Sequence, residues 1–131
     1  MSAAIVVPIG GATPAAAANW WTCPAGGNPN AWDPRYTSVA GTAGVWWRKI
    51  ELRYHRGTRC AWGHIANGSP GDAVWVDWSA NRGQTWKQLD VTRIPRGRRE
   101  TYTVAHNDAG YVMRACGKAG NRAEIACTRW Y

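Results

Sequence analysis

Glu51, Arg53 and His55 occupy alternating positions of one short segment, so in an extended chain their side chains share a face. A carboxylate, a guanidinium and an imidazole held together are the groups with which small basic secreted nucleases work. One titratable group takes a proton, another returns it, and a cation steadies the developing charge. The same three residues also describe a solvated strand face on which opposite charges support each other, and this is the reading adopted here. His64 is in phase with Cys60 and Trp62 and is expected to be a packed or surface imidazole; His106 and Glu124 complete the groups weighed. No His-Glu-x-x-His, Gly-x-Ser-x-Gly or phosphate-loop pattern occurs. The expectation is therefore no enzyme: no catalytic residue, no metal site and no cofactor.

Four cysteines, Cys23, Cys60, Cys116 and Cys127, contain no Cys-x-x-Cys pair, which disfavours zinc and thioredoxin-like redox chemistry. An even count in a short chain favours two disulfides. Of the three possible pairings, Cys116–Cys127 with Cys23–Cys60 is preferred. Lys118-Ala119-Gly120-Asn121 is a turn signal that sets the later two cysteines opposite each other in a hairpin.

The other conspicuous chemistry is aromatic and cationic. The chain carries 10 Trp and a formal net charge of +8. The charge is spread evenly along it, with one local concentration at Arg93, Arg96, Arg98 and Arg99, on a predicted loop suited to carboxylates or phosphates. Trp62, Trp78 and Trp86 are assigned to packing. Trp47 and Trp75 fall on the outer faces of their strands, and Trp20, Trp21 and Trp32 lie in an irregular region. Exposed tryptophans beside arginines are typical anchors of protein interfaces. Stacking on sugars would want a carboxylate beside the ring, and Asp77 near Trp75 is the pair that offers it.

These residues need a scaffold, and 131 residues supply one domain. Helical periodicity is scarce, while alternation and turn residues recur about every ten residues. Predicted strands run through 46–54, 60–65, 73–78, 85–91, 101–105, 111–116 and 124–130, with Asn67-Gly68-Ser69-Pro70-Gly71 ending the second. About seven short strands argue for an all-β antiparallel sandwich or small barrel. Residues 19–44 are rich in Gly, Pro, Asn and Thr and are read as an irregular arm and wrap ahead of a β domain over 45–131. Residues 1–18 are small and apolar, end in Ala-rich sequence, and are expected to be a secretory signal cleaved after Ala18. No run approaches the roughly 20 apolar residues of a membrane-spanning helix.

Ser79-Ala80-Asn81-Arg82-Gly83-Gln84-Thr85-Trp86 resembles the Asp-box hairpin, with Asn81 at its usual Asp position. The resemblance implies a structural corner: the short polar side chain bonds the turn's backbone, Gly83 takes positive φ, and Trp86 folds back over the hairpin. Glu51-Leu52-Arg53-Tyr54 followed by Cys60-Ala61-Trp62 resembles the YjfA-type family of small secreted actinobacterial β domains. So do Asp33-Pro34, Gly71-Asp72, Tyr102-Thr103, Ala115-Cys116 and Cys127-Thr128. His55-Arg56 replaces the family's usual Ser-Pro. The resemblance implies a non-catalytic protein, similar in some members to the adaptor subunit that links a toxin-bearing stalk to a lectin-like subunit in secreted toxin particles.

The expectation is thus a secreted, extracellular adaptor that binds other secreted proteins, with Asn19-Trp20-Trp21-Thr22 as an arm for a partner's cleft. A cell-wall or glycan-binding lectin and a small basic nuclease are the alternatives. Nucleic acid is not the expected partner.

Overall fold

The computed structural model describes Cys23, residues 27–31 and residues 34–131. Trp20, Trp21, Trp32, the 19–22 arm and the 1–18 segment lie outside the described residues. Two short 3-10 helices, Pro29–Ala31 and Pro34–Tyr36, precede the strands. These are β1 (Thr37–Val45), β2 (Arg48–His55), β3 (Cys60–Ala66), β4 (Ala73–Ser79), β5 (Lys87–Arg93), β6 (Thr101–Tyr102), β7 (His106–Asn107), β8 (Val112–Lys118) and β9 (Ile125–Cys127). They build two antiparallel sheets, one in the order β1-β2-β3-β6 with β7 also on β3, the other β5-β4-β8-β9. The fold is all-β and sandwich-like, as the alternation predicts. Among the described residues no helix is long and apolar enough to cross a membrane.

Alternation decides what each sheet buries. Ile50 and Leu52 of β2 and Ala61 and Ile65 of β3 face Val74 and Val76 of β4 and Met113 and Ala115 of β8, and all are buried. Two glycines set how closely the sheets approach. A Cβ at Gly63 would sit 3.1 Å from Val74 Cγ2, and one at Gly117 would strike the Ile50 side chain and lie 3.0 Å from the Ala73 carbonyl. The C-terminal segment closes one side: Met113 and Tyr131 exchange backbone hydrogen bonds, and Arg129 Nε donates to the Ala40 carbonyl at 3.2 Å.

Both expected disulfides are present. Cys116 and Cys127 are direct cross-strand partners, so their bridge staples β8 to β9. Cys23–Cys60 ties the N-terminal segment onto the outer face of β3, where Trp62 and Ala105 bury it. Such bridges stabilise a small domain by about 2 to 4 kcal/mol each and fit an oxidising compartment. The Asp-box-like hairpin is formed as its residue types require. Asn81 Oδ1 accepts from the Thr85 amide at 2.9 Å, Ser79 Oγ accepts from the Gly83 amide at 2.8 Å, and Gly83 has φ of 91°.

Several strand boundaries differ from expectation. Residues 37–45, within the region read as irregular, form β1. Its small residues show no apolar alternation, and the strand exists because its backbone pairs with β2 from Thr37↔His55 to Val45↔Arg48. Trp46 and Trp47 do not begin β2; they are the two-residue turn between β1 and β2. The predicted 101–105 strand is cut short to β6: the Thr103 hydroxyl accepts from the Gly63 amide at 3.0 Å, and β7 begins beyond the predicted segment, at His106.

Because Gly117 lies at the closest approach of the sheets, Gly117→Ala should overpack the core and cost about 1 to 3 kcal/mol. A urea titration should show a lower midpoint with an unchanged slope.

Candidate functional site

The charged face of β2 forms, with one exchange of members. Glu51 pairs across the ladder with His64, which pairs in turn with Tyr102. Glu51 Oε1 accepts from Arg53 at 3.0 Å and lies 3.1 Å from His64 Nδ1, and Lys49 Nζ is 3.6 Å from the other oxygen. His64 Nε2 is 2.7 Å from Glu100 Oε1. Burial alone would raise the pKa of Glu51. Hydrogen bonds from His64 and Arg53 and the charges of Lys49 and Arg53 outweigh it and hold the carboxyl below its usual range. His55 is not part of this cluster; its Nδ1 lies 2.9 Å from Thr58 Oγ1 in the next loop. Glu100, which alternation could not bring to β3, is the member the sequence did not single out. Both imidazole nitrogens of His64 face carboxylates, so the cluster holds charge in a closed network. Beside it runs a groove of about 580 Å³ lined by Asn30, Pro95, Arg98, Glu100, Thr101 and Tyr102.

The antiparallel registers collect the remaining candidates at one end of the sandwich. Val45↔Arg48, Lys49↔Ala66, Ala73↔Arg93 and Ala73↔Lys118 place the Trp46–Trp47 turn, the β3–β4 loop, the 94–100 loop and the β8–β9 loop together. Asp72 joins them. Its buried carboxylate accepts from Arg48 Nε at 2.7 Å and from the Ser69 amide at 2.7 Å, while its carbonyl accepts from the Ile94 amide at 2.8 Å. Gly68 is needed beneath it, because a Cβ there would lie 2.6 Å from Ile94 Cδ1 and 2.7 Å from Asp72 Oδ2.

The turn that this framework carries is unusual. Trp46 and Trp47 have φ of 48° and 69°, the left-handed region in which two-residue hairpins prefer Asn-Gly and bulky residues are strained. Trp46 is fixed on three sides: its carbonyl accepts from Arg48 at 2.7 Å, its indole Nε1 donates to Glu124 at 3.2 Å, and the Arg122 guanidinium lies 3.8 Å over its ring. Trp47 is 89% exposed. At the same end of the sandwich Arg93, Arg96, Arg98, Arg99 and Arg122 are all exposed, Arg122 at the tryptophan turn and Arg93 donating to the Gly71 carbonyl at 2.9 Å.

Other tryptophans depart from their assignments. Trp75 does lie on the outer face of β4, yet it is only 5% exposed, because it packs beside the Cys116–Cys127 bridge. Its neighbour Asp77 is buried too and bonds Arg114 Nε at 2.9 Å, so this pair does not present a sugar platform. Trp86, assigned to packing, is 52% exposed; it folds back, but onto Arg114, whose guanidinium lies 4.6 Å from its ring and 4.5 Å from that of Trp130. Trp62 is buried and Trp78 half-buried, as expected. Among the described residues, Asp77 with Cys116 and Cys127 is the one grouping of metal-ligand type, and both sulfurs are already bonded to each other.

Compared with family models, curated proteins and solved structures, the chain matches none of them.

At the other end, Asp108 is buried, and burial pushes its pKa up to about 6 against the opposing charge of Arg59. Its folded value exceeds the ordinary 3.8, so both states are neutral at low pH and the native state alone is penalised as pH rises through that interval. Asp108→Asn should therefore stabilise the protein by on the order of 2 kcal/mol above about pH 6, a gain that fades to nothing toward about pH 4. Thermal melts across that range check this.

Proposed function

We propose that this protein is a non-catalytic adaptor of the extracellular space: an oxidised β-sandwich that docks another macromolecule by its loop end and leaves other surface for a secreted protein partner. The observation that carries this reading is the Trp46–Trp47 turn. Two bulky residues in left-handed geometry cost about 1 to 2 kcal/mol each relative to glycine. The turn nevertheless displays Trp47 in water, flanked by arginines, and fixes its neighbour through Arg48, Glu124 and Arg122. Trp and Arg are the residues most enriched among interface hot spots.

Three of the four buried acids point the same way. Asp72 bonds Arg48, Asp77 bonds Arg114, and Glu51 bonds Arg53 and faces His64. Each holds a cation in place rather than facing a cleft as a proton donor or acceptor would. The resemblance to secreted adaptor domains adds a role of linking subunits, and two disulfides accord with export.

Replacing Trp47 by Gly separates fold from function. Trp47→Gly should raise stability by about 1 kcal/mol, because glycine suits the left-handed position. It should also reduce binding of the labelled protein to whole cells by at least about tenfold. Unchanged binding, or turnover of RNA that Glu51→Gln abolishes, would overturn the reading.

A further inference from the structure

Taking the loop end as the docking end, we propose that what it docks on is an anionic lipid surface, with the Trp47 indole entering the headgroup boundary and the exposed arginines of the same end on phosphate groups. Four observations carry this.

The first is shape. Trp47 stands at the apex of a two-residue turn, and neither indole of that turn lines the groove beside Tyr102. An exposed apex suits a fluid surface that closes around it, whereas a folded partner or a sugar would be met by a concave wall. The second is the indole itself, whose apolar ring and N–H donor favour the boundary between hydrocarbon and water.

The third is charge. Arg93 ends β5, Arg96, Arg98 and Arg99 lie in the loop after it and Arg122 in the β8–β9 loop, with exposed Lys49 following the turn in β2. The acids at this end are engaged: Asp72 by Arg48, Glu100 by His64, Glu124 by the Trp46 indole. The exposed excess at this end is positive and is drawn from separate elements, with Arg98 on the groove and Arg122 at the tryptophan turn, a spread that suits a plane of headgroups better than a single nucleic-acid strand. The fourth is rigidity. The Asp72 bonds and the Arg122 stack fix the loops before contact, so little ordering entropy opposes docking. Exposed Ile125, at the start of β9 beside Glu124, adds a second apolar side chain at this end.

The experiment is co-sedimentation of the full chain with unilamellar vesicles of equimolar phosphatidylglycerol and phosphatidylcholine, and with phosphatidylcholine alone. Binding should require the anionic lipid and weaken from about 0.05 M to about 0.5 M salt. A surface arginine near anionic lipid is worth about fivefold in partitioning, so Arg96→Gln/Arg98→Gln/Arg99→Gln should lose about a hundredfold. Trp47→Ala, at an exposed position where folding is unaffected, should lose at least about tenfold. Equal binding to both vesicle types, or anionic binding that Trp47→Ala leaves intact, overturns the proposal. Absence of vesicle binding overturns it as well; if Trp47→Gly still abolishes attachment to whole cells, the loop end remains a docking site for another component of the cell surface. Single-stranded DNA that binds more tightly than the vesicles through the same residues would transfer the site to nucleic acid.

Discussion

The loop end of this molecule depends on one buried ion pair. Asp72 begins the β4 hairpin, Arg48 begins β2, and their contact at 2.7 Å joins the two sheets where their connections emerge. Asp72 is 2% exposed, so its charge must be compensated where it stands. Arg48 provides this and with its other nitrogen holds the Trp46 carbonyl. The Ser69 amide and the Ile94 amide add bonds from two more loops. Breaking such a pair by removing one partner costs about 3 to 5 kcal/mol, because the other charge is left buried. Here that cost would fall on the loops that present Trp47 and the arginines.

A second constraint is local strain. Two tryptophans in a turn that favours Asn-Gly destabilise the hairpin, and the surrounding contacts offset this only for Trp46. Nothing packs over Trp47 to compensate it within the described fold. The rest of the surface behaves differently: Trp86 and Trp130 enclose Arg114, which Asp77 anchors from below, so those indoles reinforce the outer face of their own sheet.

Much of the scaffold was legible because it rests on local rules. The phase of Ile50 and Leu52, and of Val74 and Val76, is a property of alternation alone. The Cys116–Cys127 pairing followed from a turn between two strands, and the Asn81 network from one short side chain within reach of its own backbone. What could not be read depends on partners distant in sequence. β1 is a strand only because β2 pairs with it, and alternation through Trp46 concealed a turn. A face assignment says which way Trp75 points but not that a disulfide covers it, nor that Arg114 would lift Trp86 into view. The basic loop was visible from four arginines in seven residues, yet its emergence at the same end as the tryptophan turn needed the registers of both sheets.

The Asp72–Arg48 pair organises the loop end without being required by the core. Amide hydrogen exchange on Asp72→Asn, compared with the unaltered protein, tests it most directly. Protection should fall sharply at Gly68, Gly71 and Ile94, whose amides bond within the joined loops, and persist at Ala115 and Met113 in β8. Loss of protection spread evenly over both groups, or none at the loop amides, would contradict the account.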